Sequence, residues 1–163
     1  MHGALRAKVA GSLYGLLVGD ALGCPVEGWS PAAIRAAYGT LSSMEEARGR
    51  WRPRGLHSDD GQQALALCDA LLYEPEAPER EFVRIVVEMF RDGPRGTTCF
   101  GCHRGTGSNF RKTVNALMDA DDPFAGAQPS AGNGVAMLIA PAAWYWRDDE
   151  ARLYTFTVLS RGA

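Results

Sequence analysis

The chain has 163 residues, 46% of them apolar and 22% charged, with a formal net charge of −2. That length is enough for one domain with a real core, and the balance is that of an ordinary soluble globular protein. No Lys/Arg stripe is present, which argues against nucleic acid as a partner, and Arg48, Arg50, Arg52 and Arg54 alternate with other residues close to Glu45 and Glu46 as in a solvated loop.

Apolar residues recur at helical spacing almost everywhere, and strand signals are scarce. The first predicted helix runs from about residue 5 to about residue 21. Gly11, Gly15, Gly19 and Gly23 recur every four residues and so share one helix face. Each weakens an isolated helix by about 1 kcal/mol relative to Ala, so their repetition predicts the close approach of another backbone. Arg6 and Lys8, followed by the apolar residues 9–18 and by Ala21-Leu22-Gly23-Cys24, imitate a signal peptide. The glycine spacing, and Asp20 inside the would-be cleavage region, argue against export. No run approaches the ~20 apolar residues that span a bilayer, so no membrane association is expected. Cys24, Cys68, Cys99 and Cys102 are then expected to be free thiols of a cytoplasmic protein.

Ser30-Pro31 reads as a helix cap followed by a first-turn proline, and Gly39 as the stop of that short helix. Residues 40–57 are loop-like. A second long helix begins after Asp59-Asp60 with Leu65, Cys68, Leu71 and Leu72 as its apolar side. A turn bounded by Pro75 and Pro78 leads to a third helix with Phe82, Ile85, Val86 and Met89 as its buried stripe and Gly93 as its stop. Residues 93–107, rich in Gly and Thr, predict an ordered loop. A helix with Phe110, Val114 and Leu117 follows, then a loop over 119–130 and a strongly apolar, central helix over about 134–146. Residues 153–159 are ambiguous between helix and strand. The sum is one mostly helical domain, 1–163.

Five segments could carry chemistry. Ser58-Asp59-Asp60 stands just ahead of a helix, where acidic residues commonly serve as caps. The same hydroxyl and two carboxylates are also oxygen donors of the kind that Mg²⁺ or Mn²⁺ takes. Glu27 follows the end of the first helix at Gly23 and Pro25; it is either an exposed surface carboxylate or an acid/base group. Arg104-Gly105-Thr106-Gly107-Ser108-Asn109 and Ser130-Ala131-Gly132-Asn133-Gly134 are glycine-containing turns entering helices, where backbone N–H groups can meet a phosphate or pyrophosphate. Cys99-Phe100-Gly101-Cys102-His103 matches the C-x-x-C-H pattern of covalent haem attachment, which would make the chain a small c-type haem protein. That chemistry needs export, and the export signal is poor. Zinc would want a second ligand pair, which is not visible.

In order and spacing, four of these segments resemble the ADP-ribosylglycohydrolase family, which includes the dinitrogenase reductase-activating glycohydrolases. The resemblance covers residues 8 to about 146. G-D-x-x-G-x-x-x-E is matched by Gly19, Asp20, Gly23 and Glu27. [ST]-D-D-T is matched by Ser58-Asp59-Asp60, with Gly61 for the Thr. The mid-chain glycine loop is matched at Gly105, Gly107, Ser108 and Asn109. S-x-G-N-G is matched by Ser130, Gly132, Asn133 and Gly134, leading into the apolar helix that carries Ile139-Ala140-Pro141.

The resemblance implies an all-α, orthogonally packed helical bundle, present here as an incomplete copy. It implies cleavage of the glycosidic bond between ADP-ribose and a protein side chain at a site with two Mg²⁺ or Mn²⁺ ions. Ser58, Asp59 and Asp60 would be metal ligands. Glu27, Asp59 and Asp60 would be the catalytic set. The two glycine loops would hold the ADP-ribose of an ADP-ribosylated protein. Family members continue into a second half with another aspartate-rich ligand set of D-x-D-T character. Asp148-Asp149-Glu150 lacks that pattern, and Leu138 stands where the family usually has Arg. The resemblance therefore predicts a partial metal site with weak or no activity alone. Self-association or a complementing second chain is expected from apolar surface left uncovered. A non-catalytic module that binds ADP-ribose or a partner is the alternative.

Overall fold

A computed structural model describes residues 2–46, 53–95, 99–127 and 134–159. The chain divides into two compact units, Met1–Ser58 and Asp59–Ala163. Among the described residues it forms seven α-helices and one two-stranded antiparallel hairpin, so the all-α expectation holds.

The first unit opens with α1 (His2–Gly23), which runs into a 3₁₀ turn (Cys24–Val26) whose three residues are buried. Pro25 suits that turn, because its fixed φ matches and its missing N–H is not needed there. The helix is longer than the sequence suggested, and the stretch Gly3–Val26 is long and apolar enough to cross a membrane by length and composition. The expectation from unbroken apolar runs missed this because Asp20 is the only charged residue between Val9 and Val26. The glycine face also departs from expectation. A Cβ added to Gly11, Gly15, Gly19 or Gly23 would meet no atom within 4 Å, so no backbone approaches that face among the described residues. The short helix α2 (Pro31–Tyr38) follows as predicted. Ser30 Oγ accepts the Ala33 N–H at 3.2 Å, and Gly39, at φ +67°, ends it.

The second unit is built on α3 (Asp59–Tyr73), which packs against α4 (Pro78–Arg91) and α6 (Gly134–Tyr145). Its buried face differs from the one predicted. Leu67 and Leu71 enter the core together with Ala64, Ala66 and Ala70, whereas Leu65 and Leu72 are exposed and Cys68 is half-buried. Alanines on the inner face let both neighbouring helices approach, so small size rather than bulk sets the orientation. Leu67, Leu71, Leu138, Ala142, Trp146 and Phe156 form one cluster. Val86, Val87, Val114 and Leu117 form a second, which joins α4 to α5 (Ser108–Leu117), and Phe82 packs against both. The ambiguous tail resolves as α7 (Glu150–Leu159). It is held by Trp146–Phe156 ring packing at 5.2 Å and by an Arg152–Glu79 ion pair at 2.7 Å. The apolar α6 is less central than expected. Met137, Leu138, Pro141 and Ala142 are buried, but Ala136 and Tyr145 are exposed.

The stretch read as an ordered loop contains the hairpin. Strands β1 (Cys99–Phe100) and β2 (His103–Arg104) pair antiparallel in the register Cys99↔Arg104 and Phe100↔His103. Gly101 and Cys102 form the two-residue turn. A positive φ at the first central residue alone, +61° at Gly101, is the pattern of a type II′ turn. The turn lies on the end of α4: the Cys102 N–H donates to the Met89 carbonyl at 2.7 Å. A Cβ at Gly101 would lie 2.1 Å from the Phe90 carbonyl oxygen.

Two glycine substitutions should therefore act in opposite directions. Gly101→Ala combines a disfavoured φ with a backbone clash and should cost about 2–4 kcal/mol. Gly11→Ala adds a methyl group to open space in a helix and should stabilise by about 0.5–1 kcal/mol. Urea unfolding of the two variants beside the parent chain measures both; a neutral Gly101→Ala would contradict the packing of the turn on α4.

Candidate functional site

In the first unit, Asp20 of the G-D-x-x-G-x-x-x-E segment and Ser58 meet through a hydrogen bond. The Ser58 N–H donates to Asp20 Oδ2 at 2.9 Å, across 38 residues of sequence. Ser58 is buried, and its carbonyl lies 3.2 Å from His57 Nδ1. Asp20 thus has a role that the sequence reading did not give it. The signal was present: Asp20 is the lone charge in the apolar stretch from Val9 to Val26, and a half-buried carboxylate there costs free energy unless it is paired or hydrogen-bonded. Glu27 ends the 3₁₀ turn and is exposed, with Gly28 at φ +77° beside it.

In the second unit, Asp59 and Asp60 are the first two residues of α3 and are half-buried. Carboxylates there face the positive end of the helix, as the capping reading requires. Their oxygens also suit a hard divalent cation, but the number falls short. Among the described residues no three His, Cys, Asp or Glu side chains gather where they could hold an ion. Two carboxylates and a hydroxyl leave about half of an octahedral shell to other ligands.

The C-x-x-C-H segment is the hairpin itself. His103 is fully buried, with Nε2 2.8 Å from the Val86 carbonyl. At that distance Nε2 carries the proton and donates it, leaving a lone pair on Nδ1. Nδ1 is buried and has no hydrogen-bond partner among the described residues. The Phe100 and Phe110 rings lie 6.5 and 5.0 Å from the imidazole. Burial pushes the His103 pKa below its usual value, against the opposing pull of the Val86 carbonyl. With Nε2 engaged by the Val86 carbonyl and Nδ1 enclosed in the packing, the geometry gives the haem reading no support.

Downstream of the hairpin lies the first glycine loop. Gly105 takes φ +78°, and Gly107 is the N-cap of α5 with no side chain to cap it. Ser108 and Asn109 form the first turn of α5. Thr106 is buried, and its Oγ1 accepts from Arg111 Nε at 3.2 Å. The Arg111 guanidinium lies 5.7 Å from the Phe100 ring centroid. The loop therefore presents a helix N-terminus and a cation together, the chemistry that suits an anion. In the second glycine segment, Ser130, Gly132 and Asn133 lie outside the described residues, and Gly134 begins α6.

A residue that the sequence reading missed ties the acidic turn to the hairpin. Gln62, in the first turn of α3, donates from Nε2 to the Cys102 carbonyl at 3.0 Å and accepts the Arg104 N–H on Oε1 at 2.9 Å. Its position two residues after Asp60, and its burial to 8% exposure, would have made it a candidate had a buried polar side chain been expected there.

Asp20→Ala removes an acceptor from the Ser58 N–H. The expected cost is about 1–3 kcal/mol, with faster hydrogen exchange at the Ser58 amide; unchanged exchange would mean that the bond does not hold this segment. For His103 the linkage runs towards acid. The unfolded imidazole takes up a proton near pH 6.5, while the folded one resists it. Its contribution to stability is thus present above about pH 6.5 and is lost as pH falls from there towards the lower folded value. Urea midpoints measured between pH 7.5 and about 5 should fall, and His103→Gln should flatten the slope.

The sequence profile of the ADP-ribosylglycohydrolase family matches residues 1–161. An uncharacterized protein of Archaeoglobus fulgidus is 30% identical over 125 residues, covering 70% of this chain and 41% of that relative. The uncharacterized protein YegU of Escherichia coli is 34% identical over 70 residues, covering 40% of this chain and 21% of its own length. The matched part of the chain thus spans less than half the length of either relative. A family profile that runs through the Asp20–Ser58 contact, the acidic turn and the glycine loop settles the ancestry: the chain belongs to the ADP-ribosylglycohydrolase family.

Proposed function

We propose that the protein acts on ADP-ribose attached to a protein side chain, as a glycosidic-bond hydrolase whose site is only partly supplied by this chain. Family membership supports the glycohydrolase reading. The observation that carries the assignment to these residues is the Asp20–Ser58 hydrogen bond. It joins a residue of the first motif, Asp20, to a residue of the second, Ser58.

Glycoside hydrolysis needs a group that protonates the leaving atom and one that directs water. Glu27 is exposed and would be the acid/base candidate. Asp59 and Asp60, with Ser58, would supply oxygens to Mg²⁺ or Mn²⁺, and that ion would polarise the reacting groups when bound. The rest of its coordination would come from water, a second copy or a complementing chain. The pyrophosphate would sit on the loop of Gly105, Gly107, Ser108 and Asn109, with Ser130, Gly132, Asn133 and Gly134 as the second contact. The setting would be cytoplasmic, in keeping with Cys24, Cys68 and Cys102 standing outside any disulfide.

The short donor set favours a second reading, an ADP-ribose-binding module without turnover. Calorimetry with ADP-ribose, with and without Mn²⁺, combined with an assay of ADP-ribose release from ADP-ribosylated protein, separates the two. The hydrolase reading expects binding that tightens with Mn²⁺, with slow release. Asp59→Ala/Asp60→Ala should abolish the Mn²⁺ effect and lower affinity by about tenfold or more, the scale of losing metal ligation. Binding without release selects the module. No binding under either condition sinks both.

A further inference from the structure

We propose that Gln62 is a positioning residue: its side-chain amide sets the acidic turn at Asp59-Asp60 in register with the glycine loop at 105–109, so that one ligand can engage both. This rests on the ADP-ribose reading above.

The case begins with the hairpin. It is fixed to α4 on one side by the Cys102 N–H to the Met89 carbonyl at 2.7 Å and by His103 Nε2 to the Val86 carbonyl at 2.8 Å. Gly101 adds a steric lock, because a Cβ there would strike the Phe90 carbonyl oxygen at 2.1 Å. None of these contacts involves α3. Gln62 supplies that link through its amide, which pairs with the Cys102 carbonyl and the Arg104 N–H. These two groups flank His103, so the amide bonds to β2 as a neighbouring strand would.

Sequence position then makes this link a ruler. Gln62 lies two residues after Asp60 on the same helical turn. Arg104 immediately precedes Gly105, where the glycine loop begins. A displacement of the amide therefore moves the acidic turn and the loop relative to each other. Two hydrogen bonds, to the backbone groups on either side of His103 in a hairpin fixed to α4, leave little freedom for that. A purely structural glutamine would cover the hairpin edge and nothing more, and it would affect every ligand alike.

The test uses two ligands. ADP reaches the glycine loop through its phosphates, and ADP-ribose adds the distal ribose that must meet the acidic turn. Binding of both to the full chain is measured by calorimetry for the parent, Gln62→Met, Gln62→Glu and, as a folding control, Gln63→Met. In Gln62→Met, ADP affinity should stay within about twofold while ADP-ribose affinity falls about tenfold or more, the scale of lost alignment. Hydrogen exchange at the Arg104 amide should also quicken. Gln62→Glu keeps the acceptor for the Arg104 N–H and should fall between, which preserves the test if the Met variant folds poorly. Equal losses for the two ligands, or none, would overturn the proposal while leaving the ADP-ribose reading in place. A parent chain that binds neither ligand removes the ADP-ribose reading, and this proposal with it; the Arg104 exchange data would then report only a structural tether.

Discussion

The contact on which the second unit depends is between two pieces of main chain. The turn of the β1–β2 hairpin sits against the last carbonyls of α4 so closely that no side chain fits between them. Helix C-termini leave carbonyls without intrahelical donors. Here one of them, Met89, receives the Cys102 N–H. The hairpin satisfies α4, and α4 fixes the hairpin. The turn into α5, which follows directly, starts from a strand fixed in this way.

His103 shows what this fixation costs. Its imidazole is held by the Val86 carbonyl on one side, and on the other it leaves a lone pair among aromatic rings with no donor among the described residues. A buried acceptor without a partner costs about 1–3 kcal/mol. The ring in return packs against Phe100 and Phe110, and its Nε2–H ties β2 to α4 through the Val86 carbonyl. Complete burial, with Nε2 engaged by the Val86 carbonyl, is what makes a histidine in a C-x-x-C-H sequence serve packing here.

Legibility divided along a physical line. Helices announced by caps and breakers were readable: Ser30-Pro31 with Gly39, and Pro78 with Gly93, mark their ends through local geometry that sequence encodes directly. The face of α3 was not readable, because its burial follows from alanines that admit close neighbours, whereas hydrophobic pattern weighs the larger Leu65 and Leu72. The hairpin escaped because two-residue strands carry almost no periodicity, and Gly101 was read as part of a haem pattern rather than as a turn. The glycine face of α1 was read correctly as spacing, but the neighbour it implied is not found among the described residues. Of the site, the residue types were legible from their motifs. Their connections were not, since the Asp20–Ser58 and Gln62–Arg104 bonds span 38 and 42 residues.

Those two bonds suggest how the family motifs work as a set. An isolated acidic pair at a helix start is ordinary capping, and an isolated glycine loop is an ordinary turn. Each becomes a candidate for chemistry when something fixes where it points. Within the first unit, Asp20 holds the backbone of Ser58. Gln62 holds the hairpin, so the loop entering α5 is set from the start of α3. In both cases the positioning group is a buried or half-buried polar side chain bonded to main chain, which directs without competing for a ligand. Substituting an ionisable or nucleophilic residue tests what the chemistry is; substituting these two tests whether the chemistry has been aimed. The second question survives even if this chain never turns over substrate alone, because a binding module needs the same alignment as an enzyme.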